Sequence, residues 1–373
     1  MTTSLGWQKR RPPHGAPSRG AARRDTQPPL FAALDLGTNN CRLMIAARSE
    51  TGFRVVDSLN RSVRLGEGLQ ESGRLSDVAM ERTLDVLHDC VARIRRRNPG
   101  RVRAVATEAC RRAANGRAFL DRVARETGLG ISIISGREEA ELALESCTPF
   151  LASRDRRTRA LLFDIGGGST EIAWVGIDGT TPRLISFVSA PVGVVTLAEQ
   201  YGASIHTPLG YEAMVAQVRD HLRDFEAIHC IGREIARDNV RLLGTSGTVT
   251  TLAGLALGLE RYSRVAVDGL VLGADRAEAA LDLLRSLDLA GLRAHPCVGR
   301  DRADYVMPGC AIFDAIRRTW PADAVTVADR GLRDGMLLRM IRDAGIPHHG
   351  PPRPLSTRSR RPGSGQTPGA LQT

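Results

Sequence analysis

Twice along this chain a short apolar run ends in one aspartate, passes through a glycine-bearing polar turn and returns as a second apolar run. The first copy is Phe31-Ala-Ala-Leu-Asp35-Leu-Gly37-Thr38-Asn39 with Arg42 to Ala47, and the second is Leu161-Leu-Phe-Asp164-Ile-Gly166-Gly167-Gly168-Ser169-Thr-Glu171 with Ile172 to Val175. Each reads as a buried strand, a tight turn and a returning strand. Glycine in the turn lets backbone N–H groups face outward into a concave anion site, and the aspartate before it sets a carboxylate alongside, an arrangement suited to a metal-bound phosphate. Two such turns facing each other grip a phosphate chain from both sides.

With 373 residues the chain is long enough for two domains with sizeable cores. Its net charge of +11 suggests a nucleic-acid binder, but the charge is unevenly spread and only 4% of residues are aromatic, few for a protein that stacks single-stranded bases. Residues 1–30 carry Lys9 and five arginines against one acid, and residues 346–373 carry four arginines and no acid. These ends, rich in Pro, Gly, Ser and Arg, read as disordered and solvated, and they leave a body close to neutral with no specific nucleic-acid surface. Lys9 is the only lysine, so arginine is the general-purpose cation of this protein and an arginine count alone proves nothing. The seven cysteines form no CxxC pair and the eight histidines have no metal-ligand spacing, which points to a reducing cytoplasm and away from structural zinc. No apolar run is long enough to cross a bilayer, so the expectation is a soluble protein without membrane contact.

Between and after the two hairpins, strands alternate with helices. Gly66 to Gly73 reads as a loop; Ser76 caps a helix whose Met80, Leu84, Leu87, Val91 and Ile94 form one buried face. A strand over 101–107, a helix over 116–127, a strand over 131–134 and a helix from Arg137 towards Thr148 follow. After the second hairpin come helical segments over 211–225, a strand over 241–243 with the turn Gly244-Thr-Ser246-Gly247-Thr248, a strand over 324–328 and a last helix over 336–341. This alternation implies an α/β layered fold.

Six motifs in order then make the chain resemble the exopolyphosphatase and guanosine pentaphosphate phosphatase (Ppx/GppA) family over about residues 31–345. They are Asp35-Leu-Gly-Thr-Asn, Val105-Ala-Thr-Glu-Ala-Cys-Arg111-Arg-Ala, Ile134-Ser-Gly-Arg-Glu-Glu139-Ala, Asp164-Ile-Gly-Gly-Gly-Ser-Thr-Glu171, Gly244-Thr-Ser-Gly-Thr and Asp329-Arg-Gly-Leu-Arg333-Asp-Gly. The resemblance implies a duplicated RNase H-like fold, the superfold of actin, sugar kinases and chaperone ATPases, with two domains around a central cleft. Its short two-domain form assigns residues 31–137 to the first domain, joined by the last helix at 336–345, and residues 138–335 to the second. Asn40 stands where a small hydroxyl residue is common, Glu108 where a small residue is usual and Asp334 where Glu is usual. None removes a reacting group, although Glu108 beside the cleft would repel a polyanion.

Hydrolysis of a phosphoanhydride needs charge neutralisation, a positioned water and a proton acceptor. The resemblance gives the acceptor role to Glu139. Its neighbour Glu138 points about 100° away on a helix, so only one of the two faces the cleft. Asp164 and Glu171 are the expected catalytic carboxylates and holders of Mg²⁺ or another divalent cation. Gly37, Thr38, Asn39, Gly166, Gly167, Gly168 and Ser169 are expected to cradle phosphate beside Asp35. Gly244, Ser246, Gly247 and Thr248 are expected to form a third phosphate or nucleotide turn, with Arg42, Arg111 and Arg333 as substrate cations. Ser246 lacks the Gly-x-Ser-x-Gly elbow of a serine hydrolase. The expected activity is exopolyphosphatase, a cytoplasmic and homodimeric hydrolase of terminal orthophosphate from inorganic polyphosphate. Guanosine pentaphosphate 5′-phosphohydrolase is the alternative substrate reading. A protein of the same superfold that binds polyphosphate, an alarmone or ATP without catalysis is the alternative of another class.

Overall fold

The computed structural model describes residues 28–50, 52–151, 156–179 and 181–345; the basic ends expected at 1–30 and 346–373 lie, but for residues 28–30, outside the described residues. Eleven strands are described: β1 (Leu30–Leu36), β2 (Asn40–Ser49), β3 (Gly52–Ser62), β4 (Arg101–Ala106), β5 (Ser132–Ile133), β6 (Arg159–Ile165), β7 (Thr170–Asp178), β8 (Thr181–Ala190), β9 (Val240–Thr245), β10 (Val271–Gly273) and β11 (Ala324–Ala328). They form two mixed sheets, ordered β3-β2-β1-β4-β5 and β10-β11-β9-β6-β7-β8. In the first, β1 to β3 form an antiparallel meander, β4 runs parallel to β1 and β5 parallel to β4. In the second, β6 to β8 form the same meander, with β9 parallel to β6 and β11 parallel to β9, and β10 is an added antiparallel edge. This is the duplicated RNase H-like α/β architecture.

The duplication holds residue by residue. Asp35 and Asp164 are 129 positions apart, and the same offset carries β1 onto β6 and Gly37 onto Gly166. It also carries the register shift between Ile45 and Ala46, where β2 meets β3, onto the shift between Trp174 and Val175, where β7 meets β8. Each turn is closed by the same 2.9 Å hydrogen bond, from Gly37 N to the Asn40 carbonyl and from Gly166 N to the Ser169 carbonyl.

Strand alternation decides where the charged residues go. Ala32, Leu34 and Leu36 of β1, with Cys41, Leu43 and Ile45 of β2, enter one core on the outer side of the first sheet. Phe31, Ala33, Met44 and Ala46 enter another, on the opposite face. The period of two therefore places Asp35 and Arg42 on that second face, at the end where its apolar row stops. The second sheet repeats this. Leu161, Phe163, Ile165, Ile172 and Trp174 fill the large outer core, whereas Ala160, Leu162, Ala173 and Val175 share the other face with Asp164 and Glu171. A register slip by one residue would send these charges into the cores, so the apolar rows fix the site.

Two helices fill the space between the inner faces. The Gly136–Leu151 helix packs Ala140, Ala143, Leu144 and Cys147 on the second sheet, and the Leu332–Ala344 helix packs Met336, Leu337, Met340 and Ile341 on the first. They cross at Gly335, where an added Cβ would lie 2.0 Å from the Leu142 carbonyl oxygen, so only glycine lets the backbones meet. Glu145 holds the crossing from the side, accepting from Arg339 at 2.8 Å and from Arg342.

Several elements match the sequence reading closely. Ser76 Oγ accepts from Ala79 N at 3.3 Å and opens the Asp77–Arg97 helix, and the Gly116–Thr127 helix and β11 have the expected bounds. The helical segments over 211–225 belong to one helix, Pro208–His229. The segment 66–73, read as a loop, contains one helical turn at Leu69–Ser72 between two left-handed glycines, Gly68 and Gly73. The third strands β3 and β8 complete each meander without an advance signal. Most residues of β3 are exposed or half-buried, so it lacks the clean apolar alternation that marks β1.

Candidate active site

Both Asp-Gly turns open onto one cleft of about 840 Å³ lined from both sheets. Of the residues singled out from sequence, Asp35, Gly37, Thr38, Asn39, Arg42, Glu139, Asp164, Gly166, Gly167, Gly168, Ser169, Ser246, Gly247, Thr248 and Arg333 line it. Three do not. Gly244 lies inside β9, where an added Cβ would come within 2.6 Å of the Phe163 ring, so its smallness serves sheet packing rather than a ligand. Glu171 and Arg111 stand one layer behind the cleft wall, in contact with residues that do line it.

The two turns touch one another. A Cβ on Gly167 would lie 3.0 Å from Thr38 Cβ and 3.2 Å from Asn39 N, and one on Gly168 would lie 2.7 Å from Thr38 Oγ1. The Gly167 carbonyl is taken by Val195 N at 2.8 Å, at the start of the Val194–Tyr201 helix, which anchors the second turn from behind. The first turn is anchored by the segment after β3: Val63 N and Arg64 N donate to the Asn39 carbonyl, and Gly66 N to that of Thr38, at 2.8 to 3.0 Å. A third turn enters at Ser246, whose hydroxyl caps the Gly247–Ala256 helix by accepting from Val249 N at 3.4 Å. Ser246 has φ +119°, a conformation a side chain adopts only under strain of about 1–3 kcal/mol. Ser246, Gly247 and Thr248 line the cleft, so the start of this helix borders it, a favourable place for an anion.

Four carboxylates gather on the inner faces. Burial pushes Asp35 above the usual carboxylate range, opposed by Arg42 and Arg333. Burial does the same to Asp164, opposed by the Thr245 hydroxyl beside it and by Arg42. Glu139 is pushed well up by burial and by the charge of Glu171, with Arg111 pulling the other way and Asp35 and Asp164 adding to the rise. Glu171, 4% exposed, is raised to about 7, first by burial and next, against the Ser169 hydroxyl, by the charge of Asp164. Its Oε1 accepts from both Ser169 Oγ at 2.7 Å and Ser189 Oγ at 2.8 Å, which fixes its orientation. Glu138 turns away from the cleft to pair with Arg103, as the helix geometry requires.

Arg111 is committed to the protein. Its guanidinium donates to Glu108 Oε2 at 2.6 and 3.1 Å, to the Ile134 carbonyl at 2.8 Å and to Glu139 Oε2 at 3.4 Å. It therefore neutralises Glu108, the acid expected to repel a polyanion, and steadies Glu139 from behind.

Arg42 and Arg333 are joined by a third cation that the sequence reading did not identify, Arg302. Burial lowers the pKa of Arg302 and of Arg333, and in both cases the nearby charge of Arg42 adds to the fall. Arg302 lies over the start of the Gly247–Ala256 helix, 3.7 Å from where a Cβ on Gly247 would be, and donates to Thr251 Oγ1 at 3.1 Å. Arg302 and Arg333 are desolvated and each is repelled by Arg42, and an anion among the three relieves that repulsion. The one available cue in the sequence was local conflict. Arg302 falls in the first turn of the Arg300–Thr319 helix, where the helix dipole disfavours a cation.

Among the described residues, no group of three or more His, Cys, Asp or Glu is placed to cage a metal ion. Mg²⁺ needs no such cage. It keeps waters and takes one or two carboxylates together with substrate phosphate oxygens, and the hard oxygen donors of Asp164 and Asp35 on the cleft wall fit that need.

A family model described as the Ppx/GppA phosphatase family matches residues 44–344. Among solved structures, an exopolyphosphatase-like protein is 29% identical, covering 85% of this chain and 99% of its own, with a TM-score of 0.75. A Ppx/GppA enzyme from Aquifex aeolicus is 28% identical, covering 83% and 99%, with a TM-score of 0.66. An exopolyphosphatase from Cytophaga hutchinsonii, at 22% identity and a TM-score of 0.75 over 84% and 98%, shares the fold.

Proposed function

The chain belongs to the Ppx/GppA phosphatase family, and on that premise we propose that it releases terminal orthophosphate from inorganic polyphosphate by Mg²⁺-dependent hydrolysis. The observation that carries this reading is the single cleft in which two glycine turns, three crowded arginines and a set of crowded carboxylates meet. A site that concentrates both signs of charge is costly to fold. A phosphate chain accompanied by a divalent cation satisfies both sets at once.

In this reading the N–H groups of the two turns and of the Ser246–Thr248 helix start hold the terminal phosphates, and Arg42, Arg302 and Arg333 take their oxygens. Asp35 and Asp164 would hold Mg²⁺, with Glu171 behind them reaching it through water; when bound it neutralises charge on the phosphate oxygens. Glu139 takes the proton of the attacking water. Its raised proton affinity makes it a better acceptor than an exposed carboxylate, and Arg111 at 3.4 Å keeps a share of it ionised. The water oxygen forms the new bond to phosphorus, the bridging P–O bond breaks, and the shortened polyphosphate leaves as an anion beside the arginines. The hydroxyls of Ser169 and Ser189 hold Glu171 still during this exchange.

The test is steady-state phosphate release, with Mg²⁺ and with chelator, from polyphosphates of several lengths and from guanosine pentaphosphate side by side. The proposal expects polyphosphate to be the better substrate and Glu139→Gln to lose about a thousandfold in kcat. Faster turnover of guanosine pentaphosphate would move the assignment to the 5′-phosphohydrolase reading. Binding without turnover of either substrate would make the protein a sensor.

A further inference from the structure

Thr83, Thr127, Ser146 and Thr170 are buried, and each spends its hydroxyl proton on a backbone carbonyl at 2.7 Å. Thr245 does not. It is fully buried, and among the described residues its Oγ1 is the one buried side-chain polar atom without a hydrogen-bond partner. An unspent hydroxyl in the interior costs stability, so its presence calls for another reason. Thr245 ends β9, where the period of two sets it on the inner face with Leu243 while Gly244 meets the Phe163 ring on the outer one. Register places it between Ala328 of β11 and Asp164 of β6. Leu243 and Ala328 belong to an apolar row, a setting in which valine would fill the same space at no polar cost. Asp164 is the polar residue of that register, and the hydroxyl lies close enough to favour its ionised form. Asp164 lines the cleft and Thr245 does not, so the hydroxyl acts from behind the wall.

From these observations we infer that Thr245 is a positioning residue for Asp164: its hydroxyl donates to one oxygen of that carboxylate and leaves the other to a divalent cation in the cleft. This rests on the proposed function and adds to it a residue that touches neither substrate nor metal. A small turn of either side chain closes the bond. Carboxylates that hold a metal are commonly steadied by such an outer hydrogen bond, and losing it typically weakens metal binding or activity by about 10–100-fold. The second sheet already uses hydroxyls in this way, since Ser169 and Ser189 steady Glu171 at 2.7 and 2.8 Å. Thr245 extends the pattern to the carboxylate that faces the cleft.

Two substitutions in the full chain separate the hydroxyl from the bulk of the side chain. Thr245→Val keeps the shape and removes the hydroxyl, whereas Thr245→Ser keeps the hydroxyl and removes a methyl group. In phosphate release from polyphosphate, Thr245→Val is expected to raise the Mg²⁺ concentration for half-maximal activity about tenfold or more, and Thr245→Ser to stay within about twofold. Urea midpoints in chelator should run the other way, with Thr245→Val at or above the unaltered protein and Thr245→Ser below it because of the cavity it leaves. An unchanged Mg²⁺ requirement in Thr245→Val, or an equal rise in both variants, overturns the role. A midpoint for Thr245→Val below that of Thr245→Ser overturns it too, by making the hydroxyl structural. If the unaltered protein releases phosphate at no Mg²⁺ concentration, the proposed function fails instead. Mn²⁺ binding, followed by loss of the electron paramagnetic resonance signal of the free ion, then decides this inference alone. Weaker binding by Thr245→Val than by the unaltered protein and Thr245→Ser supports it, and equal binding or none refutes it.

Discussion

The β1–β2 hairpin and the β6–β7 hairpin have the same backbone and opposite chemistry. Both bring an Asp to the end of an inner row, and both close the turn with one 2.9 Å hydrogen bond. The residue opposite the Asp is Arg42 in the first hairpin and Glu171 in the second. Duplication has therefore supplied two equivalent frames, and one position in each decides the sign of its contribution. On the proposed function, the first half brings a cation for the substrate, and the second brings a paired acid for metal and proton chemistry. The turns differ as well: the first carries Thr38 and Asn39, and the second is bare glycine pressed against them.

The comparison can be broken by making the halves alike. Arg42→Glu gives the first hairpin the acid of the second, removes a substrate cation and crowds Asp35 and Asp164 further. Steady-state kinetics should show kcat/KM falling by about a hundredfold or more, and an unchanged value would mean that the charge difference between the halves is incidental. A smaller effect separates the turns. Gly167→Ala drives a Cβ to 3.0 Å from Thr38 and 3.2 Å from Asn39 N, and should cost about 1–3 kcal/mol in denaturant unfolding. Gly37→Ala meets nothing nearer than the Asn40 carbonyl at 3.4 Å and should stay within about 0.5 kcal/mol. Equal costs would show that the turns do not press together.

The second half should also give the protein an unusual pH dependence in the absence of metal. Glu171 has its proton affinity raised to about 7 from an ordinary 4.5, so the native state holds that proton more tightly than the unfolded chain does. This contribution is full below the unfolded value and is lost as pH rises through the folded one, at about 3 kcal/mol for a shift of this size. Urea midpoints in chelator should fall between about pH 5 and about pH 8, and Glu171→Gln should flatten that fall. In activity the same substitution removes the charge that raises Glu139, moving the acid limb of the rate profile to lower pH. The first hairpin has no such carboxylate pair, so a fall that persisted unchanged in Glu171→Gln would place the titrating group elsewhere.

Much of this site was legible because it lies at the ends of regular strands. Apolar alternation fixes which face Asp35, Arg42, Asp164 and Glu171 occupy; helix geometry allows only one of Glu138 and Glu139 to turn inward, and the family resemblance names Glu139. What was not legible depends on packing between distant segments. Arg302 reaches the cleft only because the Arg300–Thr319 helix points its first turn at the Gly247–Ala256 helix. Arg111 lies three residues after Glu108 on one short helix, a pairing that spacing allows, but its reach to Glu139 depends on the approach of a second helix that spacing does not reveal. Gly244 read as a phosphate-turn glycine because it precedes Thr-Ser-Gly-Thr, yet the Phe163 ring on the neighbouring strand is what requires it. The third strands β3 and β8 were hidden for the same reason, since their pairing with β2 and β7 carries them more than their own pattern does.

The central claim is that both hairpins hold the same phosphate chain. A crystal structure of the Glu139→Gln protein with Mg²⁺ and tripolyphosphate tests it directly. The account predicts one chain touching the Gly37–Asn39 turn and the Gly166–Ser169 turn together, with Arg42 on its oxygens and the metal beside Asp164. A chain held by one turn alone, or bound outside the cleft, would contradict it.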